Sequence, residues 1–600
     1  MADPASLGTT SHLVSHLLRE IEGALRDVLE TLGEREQRLQ KSKKDENNHK
    51  EEILAILRGL QIPETDPVAV AWLRLPGKGN SYGLGARAHR NALTSARPVD
   101  DDFRQFWNDM QGIFDVVLEK FETSYLGVYR FLDQLLAKPA PAQGDIDKLK
   151  NNVPNNIVAH GYFFDRLTSP SWLDLLHANG LFSHPPAPEV DNEKGTIGYS
   201  AWPQSRYLVR MAPQAPEKVL NIMLAVPATD NIRVYEDFAG AAAAMPAELA
   251  AKWSEREAAR INNEQDGLFG LLPEKLGILI NHLLQGEQAT AALALARSLL
   301  EILPDPRAEK QKEHKDEYSL PPEPRARFSA WEYRRILERM IPLLPPSARI
   351  PAFDLFCDLL EKAVTFSKTS SEDEPGAEDH SYIWHPHLED KPRGDHLKNI
   401  LVPAVRDVAH AIIAQDPTQL PALVEKLENR RYEIFYRFAL DLLRQFPDGA
   451  ESLIAARLRE RHLFDARGTL REYQLLAIEW FGKLQAKDQQ EILTWIEAGP
   501  GDDEAYKRWH KELSGHEPSD EEIVQHKKRW QLNHLSPLQK SLSSDWKRRY
   551  EELTGELGKP ERDYTENSRV EVWRGPTSPL TAADFQSMSV QEIVTYLSSW

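Results

Sequence analysis

From about residue 150 onward, apolar residues recur at three- and four-residue intervals over stretches of about 12 to 20 residues, and each stretch closes on a short break of Pro, Asp, Asn or Gly. The stretches cover 216–226, 231–243, 270–284, 288–303, 330–344, 351–364, 397–414, 420–427, 432–446, 451–463 and 472–496. Apolar spacing of this kind places one stripe along a helix, and a helix with one stripe must bury it on a neighbour. Many such helices joined by short breaks can do so by stacking consecutive pairs, which is the physical content of an α-solenoid. The length of 600 residues agrees, because it exceeds what one hydrophobic core usually supports, whereas a stack grows by adding units. No strict repeat period is visible, so the units are divergent.

The first quarter of the chain is organised differently. Residues 1–10 carry no apolar pattern and are expected to be disordered. Leu13, Leu17, Leu18, Ile21, Leu25, Val28, Leu29 and Leu32 form one stripe, and Ile53, Leu54, Ile56, Leu57 and Leu60 resume it after a polar link at 41–52. Phe103, Phe106, Trp107, Met110, Ile113, Phe114, Val117 and Leu118 open a longer helical pattern over 100–136. These segments predict a helical bundle over 11–143, with residues 138–144 as its Pro- and Gly-containing exit. Within it, the apolar run 68–75 predicts a strand, followed by a glycine-rich insertion at 76–85.

The expected fold class is therefore all-α: an N-terminal helical bundle, then a divergent HEAT- or armadillo-like α-solenoid over 151–500, then a helical continuation over 501–600. Polar insertions interrupt the array at 305–327 and 367–395, and a third, at 499–536, predicts a charged loop. The apolar helix pattern at 587–600 stops on Trp600 without a polar cap, so the chain is expected either to continue beyond it or to have this end covered by a partner.

Composition removes several functional classes. Seventy-three basic and 92 acidic residues give 73 − 92 = −19, which disfavours non-specific wrapping of nucleic acid. The single cysteine, Cys357, cannot form an internal disulfide or a multi-cysteine metal site, and it fits a reducing compartment. No apolar stretch approaches the length that spans a bilayer, and no signal-peptide pattern opens the chain, so a cytoplasmic location without membrane contact is expected. No cofactor-binding pattern is present.

Several local patterns invite chemistry. Gly79-Asn80-Ser81-Tyr82-Gly83 matches the nucleophile elbow of serine hydrolases, but the alternating strands and helices that hold such a serine are missing around it. The same glycines lack the lysine and hydroxyl of a phosphate loop. Arg457 and His462 have the spacing of a metal-independent ribonuclease of the HEPN type, a match that chance alone supplies in a chain with 19 histidines. In the N-terminal bundle the nearest counterpart, Arg87-Ala-His89-Arg90, has the wrong spacing. His380, His385, His387 and His396 stand among carboxylates in the middle insertion, a donor set suited to zinc or manganese only if the loop were pinned.

That insertion reads better as a partner-binding loop, with Trp384, His385, His387, Glu389 and Asp390 as its candidate surface. Basic and aromatic residues adjoin at Lys527-Lys528-Arg529-Trp530 and around Lys547, Arg548 and Arg549, the pattern by which single-stranded nucleic acid is bound. Residues 501–550 hold ten Lys/Arg and nine Asp/Glu, however, so helix-face ion pairs explain them equally well. Cys357 lies on an apolar helical stretch and is expected in the core.

One block carries a resemblance. Tyr162-Phe-Phe-Asp-Arg-Leu, Pro170-Ser-Trp-Leu173, Gly180-Leu-Phe182 and Pro185-Pro186, with 201–208 and 229–234, are similar to the opening unit of large bacterial helical-repeat (HEAT-like) proteins associated with antiviral defence systems. The similarity extends thinly to 381–390, where the pattern has arginine at the position of His385, and to 575–580. It implies a non-enzymatic scaffold or sensor subunit of a bacterial antiphage complex, acting through a protein partner encoded in the same operon. It brings no catalytic residue: Trp172, Phe182 and Trp202 read as packing anchors, and the proline pair as a helix terminator. The alternative is an enzyme, HEPN-like or serine hydrolase, or a nucleic-acid-binding subunit.

Overall fold

The computed structural model describes residues 10–29, 48–60, 62–75, 99–154, 157–191, 195–264, 268, 270–307, 322–368, 387–389, 396–466, 468–501, 503–560, 588–589, 592–593 and 596. Among these, helices dominate, and the two short strands Glu189–Asp191 and Thr196–Gly198 pair as an antiparallel hairpin. Two units are distinguished, Met1–Ser371 with Lys391–Val408, and Glu372–Asp390 with Ala409–Trp600. No described helix is long and apolar enough to cross a membrane.

In the first unit, α1 (Thr10–Leu29), α2 (Asn48–Gly59), α3 (Pro67–Arg74) and α4 (Asp101–Leu136) share a core of Ile53, Leu57, Trp72, Phe106, Met110 and Ile113, all fully or almost fully buried. The segment read as a strand is the helix α3. Asp66 caps it, its side chain accepting from Val68 N at 2.9 Å, and Pro67 fills the first turn, where its missing N–H costs nothing. Ala69, Trp72 and Leu75 then fall on one buried face. The stripe expected on α1 is also corrected. Leu18 is buried, but Leu13, Leu17 and Ile21 are more than half exposed, and Ser11, Ser15 and Glu22 face inward instead. Burial of Glu22 is compensated by hydrogen bonds: Trp72 Nε1 and Arg26 Nε each donate to its Oε1 at 2.8 Å.

The chain continues through α5 (Gln143–Asn152), α6 (Ile157–Arg166), α7 (Leu173–Ala178), α8 (Pro203–Met211), α9 (Pro216–Ala225), α10 (Ile232–Ala243), α11 (Ala247–Asn263), α12 (Leu272–Gln285), α13 (Ala289–Leu299), α14 (Ala330–Met340) and α15 (Pro346–Phe366). Each helix packs on its next-but-one neighbour. α6, α8, α10, α12 and α14 meet in sequence along one row, and α5, α7, α9, α11, α13 and α15 along another. Glycine permits two of the closest approaches: a β-carbon at Gly277 would lie 2.8 Å from Ile336 Cγ1 of α14, and one at Gly286 would overlap Ala247 of α11. Cys357 is fully buried on α15.

The residues that carry the resemblance tie this array together. Trp172, Phe182 and Trp202 are all buried, and the Trp172 ring meets Phe163 edge-on at 5.4 Å. Tyr207 Oη donates to Ser169 O at 2.6 Å. Asn231 is fully buried; its Nδ2 donates to Ser200 O at 2.8 Å and to Pro186 O at 3.1 Å, while its Oδ1 accepts from Arg233 N and so caps α10. The proline pair does not end a helix. α7 stops at Ala178 because Gly180 takes φ +77°, letting Leu181 N reach back to Leu176 O.

α16 (Leu397–Gln415) carries the chain across the unit boundary. The second unit then contains α17 (Leu420–Glu428), α18 (Glu433–Gln445), α19 (Glu451–Leu458), α20 (Arg461–Asp465), α21 (Leu470–Trp480), α22 (Ala486–Ala498), α23 (Asp503–Ser514), α24 (Asp520–Leu535) and α25 (Ser544–Leu557). α18 packs on α17 and α21, and α24 on α22 and α25. The expected charged loop over 499–536 is largely the helices α23 and α24. Acidic residues crowd both first turns, and a capping box of Ser519 and Glu522 starts α24, so these helices form although most of their residues are polar.

Candidate partner-docking site

Of the five residues expected to form a partner surface in the middle insertion, Trp384, His385 and Asp390 lie outside the described residues. His387 and Glu389 lie within them, flanking Leu388, which is fully buried in the second unit. A buried leucine pins the end of the insertion, and Glu389 is held beside it by two arginines. Arg444 Nη2, from α18, donates to Glu389 Oε1 at 3.0 Å, and Arg471 Nη1, from α21, donates to Glu389 Oε2 at 3.2 Å.

Both arginines also serve a deeper network. Arg444 donates to Asp441 Oδ1 at 3.2 Å and lies 3.7 Å from Glu479, while Arg471 approaches Glu472 at 3.5 Å. Glu472 receives a two-pronged fork from Arg437, with Nε at 2.9 Å and Nη2 at 2.8 Å, and both side chains of that pair are about 97% buried. His410 of α16 lies 3.4 Å from Asp441 Oδ2 and packs edge-on against Phe446. Three guanidiniums thus face four carboxylates and one imidazole. Burial by itself raises the Asp441 carboxyl, but the hydrogen bond and charge of His410, with the charge of Arg444, hold it below its ordinary value. The cluster contains no serine, threonine or cysteine nucleophile; its chemistry is anchoring, with Glu389 its most exposed carboxylate after Glu479.

The basic candidates lie elsewhere in the second unit, and their charges are mostly answered by carboxylates. Lys527 Nζ donates to Asp503 at 2.6 Å, Lys528 Nζ to Glu556 at 2.5 Å, Arg548 to Asp545 at 2.9 Å, and Arg549 lies 3.8 Å from Glu552. Trp530 stacks on His534 at 3.9 Å and meets Phe464 at 5.9 Å, so its ring is spent on packing. Lys547 is exposed on α25, and Arg529 lies on α24. The geometry matches the ion-paired reading of this segment better than a stacking platform for nucleotides.

Other candidate chemistry is placed as follows. Ser81, His89 and the glycine-rich insertion at 76–85 lie outside the described residues, as do His380, the 575–580 block and most of 587–600. Arg457 forks onto Glu428 at 2.5 and 2.7 Å, and His462 is exposed, beside Glu460 at 3.5 Å. The arginine of the HEPN-like match therefore serves a link between α17 and α19. His396 pairs with Glu323 at 3.1 Å in the first unit. Among the described residues no group of three or more His, Cys, Asp or Glu is placed to hold a metal ion. The residues sequence reasoning missed are Arg437, Arg444, Arg471 and Glu472, which lie 35 or more positions from at least one partner and carry no local motif.

No protein-family model, no curated protein and no solved structure matches this chain.

Proposed function

We propose that the chain is a non-enzymatic α-solenoid scaffold that works by holding a protein partner, in the setting of a bacterial antiphage complex, in the cytoplasm. The observation that carries the solenoid reading is the next-but-one packing of α5 to α15, in which each helix meets its same-row neighbours in sequence. Further support comes from the motif residues. Asn231, Tyr207 and Trp172 knit loops and helices together, as expected of a pattern that describes a scaffold. The antiphage setting rests on the resemblance of 162–186, 201–208 and 229–234 alone.

Co-expression of the chain with the products of its neighbouring genes tests this reading. The expected result is a stable complex by size-exclusion chromatography, with no turnover of RNA, ester or peptide substrates. Turnover that vanishes in Ser81→Ala, His89→Ala or His462→Ala, without complex formation, overturns it.

A further inference from the structure

The helix pairs α13–α15 and α12–α14 differ in how their charges are met. Between α13 with the residues just after it and α15, Arg297 lies 3.2 Å from Asp358 and Lys362 lies 2.5 Å from Glu301, so the cations of that pair are answered across it. On α14, Arg335 and Arg339 have no ion-pair partner among the described residues. They stand one and two turns after Trp331, whose ring is about half exposed, and the Arg335 guanidinium carbon sits 4.5 Å from that ring's centroid. Together they form one wall of a shallow cleft between α12 and α14. The α12 wall is of opposite character. It presents the Glu274 carboxylate and Asn281, whose Oδ1 is buried and accepts no hydrogen bond among the described residues. Ile278, 46% exposed, adds an apolar position on the same helix.

We infer that this cleft binds an acidic linear segment of the protein partner, an inference that rests on the scaffold reading above. The walls define what fits. Arg335 and Arg339 call for carboxylates, Asn281 Oδ1 and Glu274 call for N–H donors, and Trp331 calls for an apolar side chain. An extended polypeptide bearing acidic and apolar residues supplies all three at once, with its backbone N–H groups on the α12 side. Tryptophan and arginine are also the residue types that most often dominate protein interfaces, and a buried acceptor left without a donor gains most from being covered. In a chain of net charge −19, two guanidiniums that form no ion pair among the described residues, although Glu274 and Glu332 also line the cleft, mark where an acidic partner is least repelled.

The test is selection of a random dodecapeptide phage library on the full chain, followed by anisotropy titration of the best labelled peptide. The expected peptides are rich in Asp and Glu beside an apolar residue. Their affinity should fall about tenfold or more in Arg335→Glu/Arg339→Glu and in Trp331→Ala, weaken with added salt, and stay unchanged in Arg297→Glu on the other row. Arg339→Glu alone, at an exposed position, gives a partial loss and guards against misfolding of the double variant. No enrichment, enriched peptides without acidic residues, or acidic peptides that bind the variants as tightly as the native chain overturn the inference. A neighbouring gene product that binds the native and charge-reversed chains equally sinks the cleft while sparing the scaffold reading; one that binds neither sinks the scaffold reading itself.

Discussion

The α12–α13 region of the first unit and the α18–α21 region of the second solve the same packing problem by different means. In α12 and α13, Leu276, Leu279, Ile280, Leu283, Leu295 and Leu299 are all completely buried, and Gly277 brings α14 within side-chain contact. Between α18 and α21 the chain instead buries Arg437 against Glu472 amid Ile434, Phe438 and Leu476. Apolar interfaces gain stability in proportion to area but fix register only through shape. A buried fork gains little net stability, because desolvating two charges offsets most of their attraction, yet it penalises any register in which one of them loses its partner. The α18–α21 interface is therefore the more specifically aligned of the two and the more sensitive to charge.

The largest expected effect breaks that contrast directly. Glu472→Ala should cost about 3 to 5 kcal/mol in urea unfolding, because it takes the two-pronged carboxylate fork away from the buried Arg437 guanidinium, whereas Arg437→Met/Glu472→Leu should be close to neutral or stabilising. A single variant costing under about 1 kcal/mol would mean that the pair is hydrated in solution. Leu276→Ala in the first unit should cost about 2 to 5 kcal/mol, the loss growing with the cavity left behind, and no second substitution at a charged site should rescue it.

Acidification separates α18 from α11 by sign. Asp441 is held below its ordinary value, so its stabilisation is full above the unfolded-state value, near about 4, and is lost as pH falls through the lower folded-state value. Glu257 of α11 is the reverse case. Burial pushes its carboxyl up despite the hydrogen bonds from Arg260, so its ionised form destabilises the fold and protonation on acidification relieves this. Hydrogen exchange at falling pH should show α18 losing protection below about pH 4 while α11 holds or gains above it; a common onset in both would contradict the assignment. Asp441→Asn should remove the α18 dependence. The smallest effect is expected at Glu389→Gln, under about 1 kcal/mol, because that carboxylate is 43% exposed, with its readout the proteolytic sensitivity of the insertion at 367–395.

The two regions were unequally legible in the sequence. α12 was readable as 270–284 and is Leu272–Gln285, since leucine and isoleucine at helical spacing leave one interpretation. α11 escaped notice because its buried face joins Trp253 and Ile261 to Ala247, Ala250, Ala251 and Ala258 and to the polar Ser254 and Glu257, which breaks up the apolar stripe. α3 looked like a strand because Val68 and Val70 are β-branched, while the decisive signal was Asp66-Pro67, a cap and a first-turn proline. At the candidate site, Glu389 stood out as an acidic loop residue, but nothing local announces that Arg444 and Arg471 grip it from 55 and 82 positions away. Arg437 and Glu472, each on an otherwise ordinary amphipathic helix, read as solvated charges until the fold brings them together.

The central claim is that helices α5 to α15 are a stack in which each member depends on its neighbours in the rows. Hydrogen exchange of Leu276→Ala against the native chain tests it most directly. The stack predicts loss of protection in α10 to α14, around the cavity in α12, with α6 to α8 retaining native protection. Equal loss from α6 through α15 would show one cooperative core instead, and would contradict the account.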